Sequence, residues 1–134
     1  MTYRQMIAVT TAFGLGLAFA PPAWADPAGD ACAALVNARV TLYTMLNAKD
    51  KSAQDALNAK VQAASTKLDS VLAAMSGSDA KVADFKAVWD QFKATRDKDI
   101  IPAIYKGNVD DAKKIADSVQ YQRLSKMWRI MSCK

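Results

Sequence analysis

The chain has 134 residues, of which 51% are hydrophobic, and its 18 Lys and Arg residues against 13 acidic residues give a formal net charge of +5. It contains no histidine, which excludes the usual His-based zinc and haem sites. Its lysines are spread among aspartates instead of forming the basic stripe that nucleic-acid binding needs. The length suffices for one domain.

The first 25 residues have the three-part pattern of a secretory signal. Arg4 precedes the apolar run MIAVTTAFGLGLAFA, and small residues follow at Ala23 and Ala25. The run is shorter than the roughly 20 residues that span a bilayer, and two prolines follow it directly. We therefore predict cleavage after Ala25, bacterial export, and a periplasmic mature chain of residues 26–134 with no membrane attachment.

Two amphipathic helices are predicted in the first half of the mature chain. Helix 1 should start after DPAGD, with Asp30 as its N-cap, and end near NAKDK. Helix 2 should begin at Ser52, where SAQD resembles a capping box with Asp in place of Glu. Spacings of three and four predict one buried face on each helix. The predicted core residues are Ala31, Leu35, Ala38, Leu42 and Met45 in helix 1, and Leu57, Val61, Ala64, Leu68, Val71 and Met75 in helix 2.

Two further helices are predicted after the break SGSD. Gly77 should stop helix 2, and Ser78 or Asp79 should cap helix 3. Helix 3 continues through ATRDKDIIPAIY, where Pro102 should kink it or end it, and helix 4 opens at Asn108. The predicted core residues are Val82, Phe85, Trp89 and Phe92 in helix 3, and Val109, Ala112, Ala116, Val119, Met127, Ile130 and Met131 in helix 4.

Four amphipathic helices with short connections predict an all-α, antiparallel up-down-up-down four-helix bundle. In that topology the start of helix 1 lies beside the end of helix 4. The chain has two cysteines, Cys32 and Cys133, one near each of these ends. In an oxidising compartment such a pair predicts a disulfide, with a metal-binding pair as the alternative. Topology and compartment together predict a Cys32–Cys133 bond that closes one end of the bundle.

Catalytic patterns are not visible in the sequence. We find neither a catalytic triad, a glycine-rich phosphate loop nor a CxxCH haem motif. Paired carboxylates at Asp97 and Asp99, and at Asp110 and Asp111, lie in lysine-rich runs that are typical of solvated surface. A hard-cation site using the first pair is the alternative, without EF-hand spacing to support it. We expect no enzymatic activity, no cofactor and no metal.

Three arginines lie at or beside the predicted helix seams, and buried arginine is rare unless it is paired. Arg39 and Arg123 fall at similar distances from the disulfide end, and Tyr43 and Trp89 fall near the same level. Together with Arg96, these residues predict a ligand-binding site in which arginines bind an anion beside an aromatic wall. The alternative is that the arginines extend to the surface or pair with aspartates, and that the aromatic residues only pack. The candidate aspartates are Asp90 and Asp117 on neighbouring helices, and Asp97 and Asp99 beside Arg96.

The stretch DFKAVWDQFKATRDKDIIPAIYKGNVDDAKKIADSVQYQR, residues 84–123, resembles the second half of the four-helix-bundle sensor domains of methyl-accepting chemotaxis receptors. The aromatic-rich third helix, the RDKDIIPAI run and the glycine turn carry the resemblance. It implies an extracytoplasmic domain that binds small molecules, often carboxylates, between helices or across a dimer interface. Since the sequence has no second long apolar segment, we expect a secreted, stand-alone binding protein, monomeric or homodimeric.

The hairpin also resembles, more weakly, that of cytochrome b562, in which a methionine and a histidine hold haem. Here Met127 lies near where that histidine would fall, and Met45 lies at the wrong end of helix 1 to be its partner. Two alternatives to small-ligand binding remain open. One is a periplasmic adaptor or chaperone-like interaction protein, which an exposed apolar stripe would favour. The other is a metal or haem carrier.

Overall fold

The computed structural model describes residues 26–75 and 79–134. The predicted signal, residues 1–25, and the predicted stop at Gly77 lie outside the described residues. Within them the fold is all-α, and the helices form the predicted four-helix bundle. No helix in the described ranges combines the length and apolarity that a membrane span requires.

Four helical rods make up the described bundle. The first and second rods are single α-helices, whereas the third and fourth each contain a π-helical segment between two α-helices. A turn at Gly107, whose φ of +81° favours glycine, joins the third rod to the fourth. In chain order the elements are α1 (Pro27–Leu46), α2 (Lys51–Met75), α3 (Ala80–Thr95), the first π segment (Arg96–Ile100), α4 (Ile101–Tyr105), α5 (Val109–Ile115), the second π segment (Ala116–Gln120) and α6 (Tyr121–Ile130).

The starts of the first two helices differ from the prediction. Helix α1 begins after Asp26, so the predicted cap Asp30 lies within its first turn. Proline suits the first helical position, because its φ is already helical and it lacks an N–H that would go unpaired there. Helix α2 begins one residue before Ser52, because the carboxylate of Asp50 accepts a hydrogen bond from the Ala53 N–H at 2.8 Å. The capping-box assignment to Ser52 was therefore wrong.

The third rod begins as predicted. The side chain of Asp79 accepts a hydrogen bond from the Lys81 N–H at 3.0 Å and caps α3. The third rod continues past Pro102 to Tyr105, and the first π segment ends two residues before this proline. Proline cannot donate to the preceding turn and its ring crowds that turn, and a wider π turn accommodates both effects.

The second π segment changes which residues of the fourth rod face the core. Val119 was predicted to be buried, but it is 36% exposed, and the neighbouring Gln120 is fully buried instead. A π segment holds one residue more per turn than an α-helix, so the inward face moves on by one position. The prediction for Val119 was wrong for this reason.

Contacts between the rods are compatible with the predicted up-down-up-down order. The first and fourth rods meet at Cys32 with Cys133 and, further along, at Tyr43 with Asp117. Between α2 and the third rod, Asp69 bonds to Trp89 and Asp55 bonds to Tyr105. In both pairs the numbering rises on one rod while it falls on the other, so these neighbours run antiparallel.

The disulfide is confirmed: Cys32 and Cys133 are bonded, with their Cα atoms 5.7 Å apart. Below it the core runs along all four rods, and the Trp89 and Phe92 rings stack with centroids 5.4 Å apart. Every predicted core residue of helices 1 and 3 is buried: Ala31, Leu35, Ala38, Leu42, Met45, Val82, Phe85, Trp89 and Phe92.

Candidate functional site

Arg96 occupies the most buried charged position in the described residues. It is only 1% exposed. Its Nε and Nη2 atoms donate to the two carboxylate oxygens of Asp97 at 2.8 and 3.1 Å. Its Nη1 atom donates to the hydroxyl of Ser65 on α2, which in turn donates to the Val61 carbonyl. This arginine therefore has its anionic partner within the protein.

Arg123 belongs to a second polar cluster, between α6 and α3. Its Nη1 atom donates to Thr95 Oγ1 at 2.6 Å, to the Gln91 carbonyl at 3.2 Å and to Gln120 Oε1 at 2.9 Å. Gln120 in turn donates from Nε2 to the Phe92 carbonyl at 2.8 Å. This cluster ties the second π segment and the start of α6 to α3.

Trp89 is fully buried and faces α2. Its indole Nε1 donates to Asp69 at 2.7 Å, and Lys93 donates to both oxygens of the same carboxylate at 2.9 and 3.0 Å. The Lys93 ammonium also lies 5.5 Å from the centre of the indole ring. Trp89 thus packs in the core with a polar partner for its single donor.

Arg39 and Tyr43 lie together on α1, facing the fourth rod. The Arg39 guanidinium is 5.6 Å from the centre of the Tyr43 ring. The Tyr43 hydroxyl lies 3.2 Å from the Ala116 carbonyl and 3.1 Å from Asp117 Oδ1, and donates to this pair of oxygens. Burial, followed by the bond to Asp117, raises the pKa of Tyr43 above its usual value.

The five residues of the predicted ligand site thus fall into separate contacts. Arg39 and Tyr43 lie together, whereas Arg96 faces α2, Arg123 faces α3, and Trp89 bonds to Asp69. No buried side-chain nitrogen or oxygen of the described residues lacks a hydrogen-bond partner. The pairing of Arg96 with an adjacent aspartate is the alternative that the sequence had left open.

An open groove lies between α1 and α6, with a volume of about 420 Å³. This volume is within the range of about 300–1,000 Å³ that small-molecule sites occupy. We call it the α1–α6 groove. It holds three of the four exposed large hydrophobic side chains found in the described residues, and the fourth, Val119, lies two positions before Tyr121. Its lining residues are Leu35, Val36, Arg39, Val40, Tyr121, Leu124, Ser125, Trp128 and Arg129.

No family model, curated protein or solved structure matches this chain. The resemblance to chemoreceptor sensor domains and to cytochrome b562 therefore stays a prediction. Within residues 26–75 and 79–134, no group of three or more potential metal-ligating side chains is arranged to hold an ion.

Of the predicted site residues, Arg39 alone lines the α1–α6 groove. The other groove residues, among them Tyr121, Trp128 and Arg129, were not part of the predicted site. A signal for the groove was present, because Val36 and Val40 are four residues apart on a helix face separate from the predicted core. No comparable signal identified Tyr121, because its orientation follows from the second π segment.

Proposed function

We propose that this protein is a secreted, periplasmic binding protein that holds a small anionic or aromatic ligand in the α1–α6 groove. The observation that carries the proposal is the groove itself: an open, mostly apolar depression that also contains arginine side chains. Small-molecule sites combine apolar walls with a few polar groups that set orientation. The proposal keeps Arg39 from the predicted site and moves the rest of the site to the surface between α1 and α6.

We infer binding, without catalysis, as the activity of the α1–α6 groove. Apart from the partly buried Tyr43, the titratable groups of the described residues with altered pKa values are surface partners in hydrogen bonds. For example, the Lys51 ammonium and then the Tyr105 hydroxyl lower the pKa of Asp55. None of the altered groups lines the α1–α6 groove.

Native mass spectrometry of protein purified from the periplasm without reductant tests the proposal. We expect a chain that starts at Asp26, carries the disulfide and retains a small adduct. Val36→Trp, which fills the groove, should remove the adduct, whereas Ala63→Trp on the exposed face of α2 should keep it. A bare chain in all three preparations would count against small-ligand binding.

A second candidate is an interaction protein that binds a partner chain through the same face. The exposure of Val40 (54%), Tyr121 (52%) and Val36 (41%) favours it, because contiguous exposed apolar side chains mark interaction surfaces. The same spectra separate the two functions. A protein complex in place of a small adduct, lost in Val36→Trp and kept in Ala63→Trp, would favour the partner chain.

A further inference from the structure

We propose that the groove's ligand is a small amphipathic monocarboxylate, whose carboxylate lies between Arg39 and Arg129 and whose apolar body lies against Leu124 and Trp128. This inference rests on the proposed function, because it names the ligand class of the same groove. It assigns a binding role to Arg129, which the sequence did not single out.

The α1–α6 groove contains positively charged side chains and no negatively charged one. Of the four arginines in the described residues, Arg96 is paired with Asp97, and Arg123 donates to three oxygen atoms. Arg39 and Arg129 form no salt bridge with any described residue, and both line the groove. No acidic side chain lines it. A partly enclosed cavity with two cations and no anion favours an anionic ligand.

Arg39 on α1 and Arg129 on α6 can be located relative to each other along the bundle axis. The hydrogen bond between Tyr43 and Asp117 places these two residues at one level. Arg39 lies four residues before Tyr43, and Arg129 lies twelve residues after Asp117. At about 1.5 Å per residue, Arg39 and Arg129 stand roughly 6 Å and 18 Å from that level on the disulfide side, so they are about 12 Å apart along the bundle. Side chains on a helix lean towards its N-terminus, so on these antiparallel helices the two arginines lean towards each other. Both can then donate to one carboxylate between them, for which guanidinium geometry is well suited.

The rest of the groove lining is mainly apolar. Apart from the arginines, the lining is aliphatic or aromatic, with polar groups at the Ser125 hydroxyl and the Tyr121 phenol. A second carboxylate on the ligand would lose hydration against these walls without a partner, which disfavours a dicarboxylate. An apolar body would cover Val36 and Val40, both now exposed to water. The groove therefore suits one carboxylate joined to an apolar body.

Matched acid and amide ligands test this assignment. Benzoate, 4-phenylbutyrate and octanoate, each beside its neutral primary amide, would be titrated calorimetrically into oxidised protein prepared from the full chain. We expect at least one acid to bind, and we expect the affinity of its amide to be lower by about tenfold or more. Arg39→Gln and Arg129→Gln should each weaken binding of the acid about tenfold and leave binding of the amide unchanged. Lys67→Gln on α2 removes the same charge away from the groove and should change neither affinity.

The contrary outcomes show whether the monocarboxylate assignment alone is wrong or whether the proposed small-ligand binding is wrong as well. Equal affinity for acid and amide, with both lost in Val36→Trp, would overturn the carboxylate and keep small-ligand binding. Binding of the acid that neither arginine variant changes would overturn the placement between Arg39 and Arg129. If no acid binds while native spectra show an adduct, the ligand class is wrong. If they show a bare chain, the proposed function fails as well. A bound protein partner, such as an acidic amphipathic helix, would also overturn the small carboxylate.

Discussion

Arg96 and Asp97 are consecutive residues, and the guanidinium of the first donates to both carboxylate oxygens of the second. Arg96 is almost completely buried, whereas the side chain of Asp97 is 48% exposed. The pair therefore places a positive charge in the core and its counter-charge at the surface of the bundle. Desolvating an arginine is costly, and this carboxylate is what offsets that cost.

Asp97→Ala should lower the free energy of unfolding by about 2–3 kcal/mol, because a buried charge is left without its anion while water reaches the site only from one side. Urea denaturation followed by circular dichroism measures this. Asp99→Ala is the matched control, since it removes an exposed carboxylate from the same π segment, with the same change in helix propensity. Equal losses in the two variants would show that Asp97 has no special role.

The disulfide should contribute more than any single contact in the bundle. Cys32 and Cys133 are 101 residues apart, and closing a loop of that size stabilises a protein by about 4–5 kcal/mol through its unfolded state. Urea unfolding of the wild-type protein should therefore shift to lower urea when a phosphine reductant is added. The double variant Cys32→Ser/Cys133→Ser should unfold like the reduced protein, with no response to reductant. An unchanged midpoint for the reduced wild-type protein would contradict the expectation.

The helical faces and the disulfide could be predicted because they depend on local spacing and on compartment. The five predicted core residues of α1, from Ala31 to Met45, repeat at the helical period, and all five are buried. The capping of α3 by Asp79 was predictable from the same kind of local pattern, since the short carboxylate accepts from the Lys81 N–H.

The π segments could not be predicted, because no local pattern distinguishes them from an α-helix. The α period leads from Ala116 through Val119 to Arg123, whereas the structure turns Gln120 inward and leaves Val119 at the surface. The pairing of Arg96 with Asp97 was one of two options in the sequence. Which option holds depends on how the first π segment turns the two side chains.

Tyr43 should give the protein a pH dependence on the alkaline side. Its pKa lies above the ordinary value of about 10, first because it is partly buried and then because it bonds to Asp117. A group with a raised folded-state pKa contributes stability that is complete below the unfolded-state pKa. That contribution is lost as the pH rises through the folded-state value. Tyr43→Phe should therefore flatten the fall in stability above about pH 10.

The cause of the altered pKa can be tested separately. Asp117→Asn removes the carboxylate charge beside Tyr43, so the pKa of the phenol should fall towards its ordinary value. Nuclear magnetic resonance of protein labelled at the tyrosine ring carbon that bears the hydroxyl follows each phenol individually. Asp110→Asn, a change of the same charge on the first turn of α5, serves as the control. A pKa of Tyr43 that is unchanged in Asp117→Asn would contradict the assignment.

Arg123 provides the test that separates a structural arginine from a ligand-binding one. It donates to Thr95, Gln91 and Gln120, so Arg123→Ala should lower the free energy of unfolding by about 1–3 kcal/mol, because it leaves buried Gln120 Oε1 without its donor. In the folded variant, the affinity for the best acid ligand should stay within about twofold of wild type, whereas Arg39→Gln should weaken it about tenfold. Calorimetric titration at a temperature where circular dichroism shows full helicity gives both numbers. A loss of affinity in Arg123→Ala that equals or exceeds the loss in Arg39→Gln would indicate that the ligand binds between the helices near Arg123, as the sequence analysis predicted. The α1–α6 groove would then no longer be the site.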